Sequence, residues 1–314
     1  MRLCLAALAL SFTLGWTPVL AQPSAALDQA DTLADIVVTA RRSGAPVWRV
    51  GSGKTRVIVV GSILSVPADT PWRPEALEAA VAQADQVILS QTATMSLTDF
   101  FRMRRARARL PEGRTVNDYL TPDWQARLEV LERTYRQNYR QRGLVWIASD
   151  LTGDRLRYRP GSGPSADTVV RAAVRKAGLP IREVGDLDAR HIDEAIAAPD
   201  ATQVACLTAS TAANEAGTQG VRARGELWTR QDVPAVLANP FEQAKDRCAW
   251  FADETLRAAG RRQWSEAAAD AVGLDQITMM VIPLSVAAEP GGVLDQFEAL
   301  GLTVEGPPWK AENQ

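Results

Sequence analysis

Histidine is almost missing from this 314-residue chain; it occurs once, at His191. Any centre built on two imidazoles, whether as metal ligands or as an acid and a base, is excluded by counting. Lysine is scarce too. Among 35 basic residues only Lys54, Lys176, Lys245 and Lys310 are lysines, an arginine bias we read as the mark of a GC-rich genome rather than of function. Cysteine appears only at Cys4, Cys206 and Cys248, too few for a structural zinc site. Charge of one sign is not in excess, since 35 basic side chains face 37 acidic ones for a net charge of -2. That balance gives no footing for nucleic acid. Beyond the first 21 residues no apolar run reaches a membrane-spanning length. The Gly-x-Ser-x-Gly elbow of serine hydrolases is absent, and so is any internal repeat. With 46% hydrophobic and 23% charged residues, the profile is that of an ordinary globular protein.

What is present starts with an export signal. Arg2 gives a positive start, Leu3 to Trp16 an apolar core too short to span a bilayer, and Val19-Leu20-Ala21 a small-residue cleavage site before Gln22. Cys4 lies too early to accept a lipid. The expected mature protein is therefore periplasmic, without a transmembrane segment. In an oxidising compartment its two remaining cysteines, Cys206 and Cys248, read as a disulfide closing a loop of roughly 40 residues. Residues 22–44 read as a flexible lead. Within it Asp35 to Ala40 is β-prone and resembles the short box by which TonB-dependent receptors engage their energising partner through strand addition. An edge strand or an ordered tail is the simpler expectation.

The organising stretch is Val57 to Gln91. Val57-Ile58-Val59-Val60 is a β-branched run that breaks at Gly61-Ser62. A proline-marked loop through Pro67, Pro71 and Trp72 follows, then apolar positions at helical spacing (Leu77, Val81, Ala84), then Val87-Ile88-Leu89 ending in Ser90-Gln91. The pattern is strand, loop, helix, strand. Apolar runs without alternation suit a parallel sheet covered on both faces, whose ligands gather at the strands' carboxyl ends. Here those ends carry no group that ionises near neutral pH. Val47 to Val50 should pair with Arg56 to Val60 as a hairpin. The intervening Gly53-Lys54-Thr55 imitates a phosphate loop, but position 48 is Trp where that motif needs glycine, and a strand follows instead of a helix.

The middle of the chain reads as helices. Ser96 to Leu110 carries five arginines on what we take as a solvated face, Pro122 opens a helix, and Gly153 to Pro164 is a loop. Ala166 to Ala177 is a helix leading to a short strand at Ile181. Asp188 to Ala197 is a helix bearing His191, read as a surface hydrogen-bonder. Val204 to Leu237 is helical with a break at Gly217 to Gly220, and Phe241 to Ala258 and Gln263 to Ala271 continue the pattern. Ile277 to Ile282 is a long apolar strand, Gly292 to Leu300 a helix, and Leu302 to Val304 a terminal strand. The expected fold is α/β: a central mixed sheet from the N- and C-terminal thirds, spanning residues 45–306, with a helical insertion over about 96–272 and a tail at 307–314.

This order of elements resembles the TraB/GumN family. The residues that carry the resemblance are Val47-Trp48, Gly61 to Leu64, Pro67 with Trp72, Leu77 to Leu89, Trp228-Thr229-Arg230-Gln231-Asp232-Val233, and Gly292 to Val304. The resemblance implies a metal-dependent hydrolase whose hairpin strand ends in Gly-x-x-His, whose next strand ends in an acidic motif, and whose closing strand bears a second Gly-x-x-His. This chain departs at each. Leu64 stands at the first histidine position, Ser90-Gln91 at the acidic end, Gln231-Asp232 where Gly-Asp would follow the tryptophan, and Val281-Ile282-Pro283-Leu284 where the second histidine would lie. Leucine, serine and glutamine do not acidify a bound water. The expectation is a non-catalytic, exported protein without cofactor, binding a small ligand or an envelope protein in a cleft lined by Gly61, Ser62, Leu64, Ser65, Ser90, Gln91 and Arg247. Trp72, Trp228 and Trp250 are further lining candidates. The alternatives are a hydrolase with carboxylate-supplied metal ligands and an adaptor engaged through residues 35–40.

Overall fold

The structure is a computed structural model and describes residues 25–51, 56–91, 105, 108–156, 163–185, 200–248 and 254–311. The export signal, Gly53-Lys54-Thr55, nearly all of the arginine-rich stretch 96–107, His191 and Trp250 lie outside the described residues.

Among the described residues six strands form one mixed sheet in the order β4-β3-β5-β2-β1-β6. They are β1 (Val47–Gly51), β2 (Val57–Ser62), β3 (Gln86–Ser90), β4 (Ile181–Val184), β5 (Thr278–Pro283) and β6 (Thr303–Glu305). β5 lies between β3 and β2 and runs parallel to both, with Met280 level with Ile88 on one side and Val59 on the other. β4 extends the parallel set, while β1 runs antiparallel to β2 and β6. The unbroken apolar runs are explained by cover on both faces: Val57 to Val60, Val87 to Leu89 and Met279 to Ile282 are all buried.

The flanking helices are α1 (Ala25–Arg41), α2 (Pro74–Val81), α3 (Pro122–Tyr135), α4 (Leu144–Ser149), α5 (Ala166–Ala177), α6 (Asp200–Thr229), α7 (Val233–Ala238), α8 (Pro240–Arg247), α9 (Glu254–Val272), α10 (Leu284–Ala288) and α11 (Val293–Ala299). Helices α1, α2 and α5 pack together, and α5 also lies against β2, β3 and β5. A second apolar cluster joins α3 and α4 to Leu207 of α6, and a third gathers Leu156, Ala213, Val221, Phe241 and Ala244. Helix α6 turns sharply at Gly217, whose φ of 66° and ψ of -164° are non-helical.

Four expectations change. Residues 25–41 are helix, not a flexible lead, and Asp35 to Ala40 is its last part. Leu33, Ile36, Val37 and Ala40 fall on one helical stripe and are all buried, so tertiary burial overrides the strand preference of Ile-Val-Val-Thr. A segment whose apolar stripe faces the core has no backbone edge to lend, and the adaptor reading of residues 35–40 falls with it. Second, the middle of the chain is not only a helical cap, because β4 and α5 belong to the sheet layer. Third, the loop expected from Gly153 begins instead as a π-helical turn, Asp150–Arg155, and Arg109, expected on a helix, forms a β-bridge with Arg142. Fourth, the C-terminal tail is fastened: the Trp48 indole donates to the Pro307 carbonyl at 2.8 Å and the Trp309 indole to Asp295 at 3.0 Å.

Candidate functional site at the strand tips

The parallel strands β4, β3, β5 and β2 all end at one edge of the sheet. With β5 between them, the tips of β2 and β3 stand two strand spacings apart, about 10 Å. At the β2 tip Gly61 is buried, Ser62 half-buried and Ile63 buried. Leu64 is 66% exposed, so the side chain at the resemblance's histidine position points to the surface. Ser65 takes a left-handed backbone, φ 56°, and turns the chain so that the carbonyls of residues 64 and 65 are both presented to one partner.

That partner is Arg224 of α6, completely buried. It donates to the Leu64 carbonyl at 2.8 Å and the Ser65 carbonyl at 3.1 Å, and its Nε is paired with Glu242 of α8. One turn on, at the i+4 position that shares its face, the Trp228 indole donates to the Gly61 carbonyl at 2.9 Å. Trp72 meets Trp228 edge to face, 5.3 Å between centroids. Between Arg224 and the next turn lies Gly225, where a Cβ would fall 2.2 Å from Thr70 Oγ1 and 3.1 Å from Pro67 Cδ. The absence of a side chain there lets α6 lie directly on the proline loop. Glu242 is set by the helix start, since Asn239 caps α8 by accepting from the amides of Phe241 and Glu242. Lys245, a turn beyond, has its pKa lowered, first by burial and then by the neighbouring Arg224 charge, with Glu242 opposing.

The β3 and β4 tips are held by a second arginine. Arg171 of α5 donates to the Ser90 carbonyl, pairs with Glu183 of β4, and lies 3.5 Å from Asp167. Gln91 is exposed, and its backbone N–H donates to the Val184 carbonyl at 2.7 Å. Burial pushes the Asp167 carboxyl up; Arg171 pulls the other way and Glu183 adds to the rise. One Asp167 oxygen is buried without a hydrogen-bond partner.

The residues expected to line the cleft therefore divide. Gly61, Ser62, Leu64 and Ser65 form the β2 tip, and Ser90 and Gln91 the β3 tip. Arg247 is exposed at the end of α8, beside Cys248, and no described contact joins it to either tip. Cys206 and Cys248 are brought together as a disulfide pair, Cα atoms 4.7 Å apart, tying α6 to α8. Sequence reading missed Arg224, Glu242, Arg171 and Asp167. The i,i+4 spacing of Arg224 to Trp228 and of Asp167 to Arg171 was visible, but nothing local said which partners those faces would meet.

The donor set does not suit a divalent metal. Among the described residues no group of three or more His, Cys, Asp or Glu side chains is placed to share an ion. The carbonyls and carboxylate at the β2 tip already surround a guanidinium, whose positive charge would repel a second cation in a low-dielectric site. At the β3 tip an arginine sits between the two acids. The polar groups at this edge are hydroxyls, amides and carbonyls, with the Asp167 carboxyl held against Arg171.

A mixed α/β sheet covered on both faces, with a hairpin, a proline loop after its second strand and helices packed at its parallel strand tips, is the class of fold these elements define. The sequence profile of the TraB/PrgY/gumN family covers residues 46–306, and the chain belongs to that family. Searches of curated proteins and of solved structures found no match.

Proposed function

We propose that this chain is an exported, non-catalytic member of its family that binds a ligand or partner in the bacterial envelope at the strand tips. The observation that carries the reading is the pairing of Leu64 with Arg224. Where the family resemblance implies a metal-binding histidine, the side chain is aliphatic and exposed, and the cation beneath it is a buried guanidinium. The polar groups at the two tips, on Ser62, Ser65, Ser90 and Gln91, form hydrogen bonds but do not activate water. Export rests on the sequence of residues 1–21; among the described residues no helix is long and apolar enough to cross a membrane.

Elemental analysis of the purified protein, before and after chelator treatment, tests the first half. Sub-stoichiometric metal is expected, and one tightly held equivalent would overturn the reading. Fractionation with N-terminal sequencing tests the second, with Gln22 expected as the first residue of periplasmic material. A carboxylate-based enzyme is the second reading, and Asp167 favours it: a carboxyl with a raised pKa and an unpartnered oxygen, against the arginine that holds the Ser90 carbonyl, is a candidate acid. Hydrolytic turnover that disappears in Asp167→Asn would establish that reading instead.

A further inference from the structure

We propose that Arg224 is the resident cation of an oxygen pocket at the β2 tip, a positioning residue that fixes the loop through Leu64 and Ser65 where other chemistry would require an ion. This deepens the non-catalytic reading and rests on it. The pocket is made from two separate parts of the chain. Two carbonyls come from the loop after β2, a carboxylate from the first turn of α8, and the Phe241 ring lies 5.5 Å from the guanidinium carbon. Carbonyl and carboxylate oxygens are the donors that hard cations take. A planar fork with five donors can serve several such acceptors at once, which a point charge cannot. Burial is complete at Arg224, and Glu242 is 7% exposed, so the pair holds the loop from inside rather than across a surface. Trp228, on the same helical face, holds the Gly61 carbonyl. One helix thus grips three carbonyls of the segment 61–65, and the loop's shape depends on a charge supplied by the protein itself.

The test uses Arg224→Ala, Arg224→Lys and the doubly apolar Arg224→Met with Glu242→Leu in the full-length mature protein. Truncating the arginine alone leaves Glu242 buried and unpaired, and the melting temperature is expected to fall by on the order of 10 °C. Millimolar ethylguanidinium should recover part of that loss in Arg224→Ala and none in wild type, while the lysine variant recovers little. The double variant removes both charges and is expected to fold. In it, hydrogen exchange at residues 61–66 should quicken at least tenfold while β5 keeps its protection. Chelation that quickens wild-type hydrogen exchange at residues 61–66 would overturn the proposal. So would unchanged exchange at 61–66 in the double variant. Metal found elsewhere in the protein would sink the functional reading and leave this one standing, so the two fail separately.

Discussion

Asp167 is the residue at which the environment and the charge disagree. Its carboxyl sits at the start of α5 and has a raised pKa because burial disfavours the anion more than Arg171 supports it. A carboxyl whose pKa is higher in the fold than in the unfolded chain binds its proton more tightly when folded. It therefore contributes stability below its unfolded value, near 3.8, and that contribution is lost as pH rises through the folded value. Above that folded value the fold carries an ionised group it would hold better protonated. Asp167→Asn is expected to match or exceed wild type in stability at pH 7, with the advantage shrinking as pH falls toward 4; denaturant titrations across that range would show it. Among single residues, what could be read in advance was whatever a side chain's own chemistry decides. Leu64, Ser90 and Gln91 were legible from their identity alone as groups that do not ionise near neutral pH. Arg224 was not, because its meaning lies in the Leu64 and Ser65 carbonyls, 160 and 159 positions away. Arg171 is the same case with Ser90.

At the scale of elements, the strands were legible because burial on both faces writes itself as continuous β-branched or apolar runs, and β1, β2, β3 and β5 each fell within a residue or two of the expected positions. Helix α1 was misread for the opposite reason. Its final turns hold a short β-branched run, and the stripe Leu33, Ile36, Val37, Ala40 that makes it a helix exceeds that run only when the whole length is considered. Ile36 is fully buried there, and Ile36→Ala is expected to cost about 2–5 kcal/mol of unfolding free energy, whereas a flexible lead would lose nothing. The pairing of α6 with α8 gives a second prediction at this scale. Cys206 and Cys248 are separated by 42 residues, and on the chain-entropy account closing such a loop stabilises the fold by about 4 kcal/mol. The Cys206→Ser, Cys248→Ser double variant should unfold at correspondingly lower denaturant, and wild type treated with a reductant should follow it. Reduction without effect would mean that packing between α6 and α8 suffices by itself.

For the molecule as a whole, the question is whether the helical middle and the sheet are separable. The expectation of a cap inserted into a two-ended sheet implies that they are, with few contacts crossing between them. The observed path argues otherwise. The chain leaves the sheet after β3, returns to it through α5 and β4, leaves again along α6, and comes back through α9 to β5. Each excursion is fixed at the strand tips by a buried or half-buried arginine, Arg171 at β3 and β4 and Arg224 at β2. α3 and α4 have an apolar cluster of their own with Leu207, and that cluster is tied inward through α6: the Tyr135 hydroxyl donates to Asn214 at 2.8 Å, and the Asn214 amide to the Leu151 carbonyl at 2.7 Å. Arg155 pairs with Asp150 at 3.0 Å and Tyr139 donates to the same carboxylate, and burial followed by that carboxylate's presence holds the Tyr139 hydroxyl well above its ordinary pKa. Since α6 belongs to both bodies and is gripped at each, opening one should loosen the other. Unfolding is therefore expected to be a single transition, with tryptophan fluorescence, which includes Trp48 and Trp228 in the sheet body and Trp124 in the helical one, coinciding with far-ultraviolet circular dichroism. The Arg224→Met, Glu242→Leu variant cuts the grip at one end only. If α6 is the coupling element, its two probes should separate, the helical signal changing at a different denaturant concentration from the sheet-body fluorescence. Coincident curves in that variant would assign the cooperativity to the sheet layer through α5 and β4.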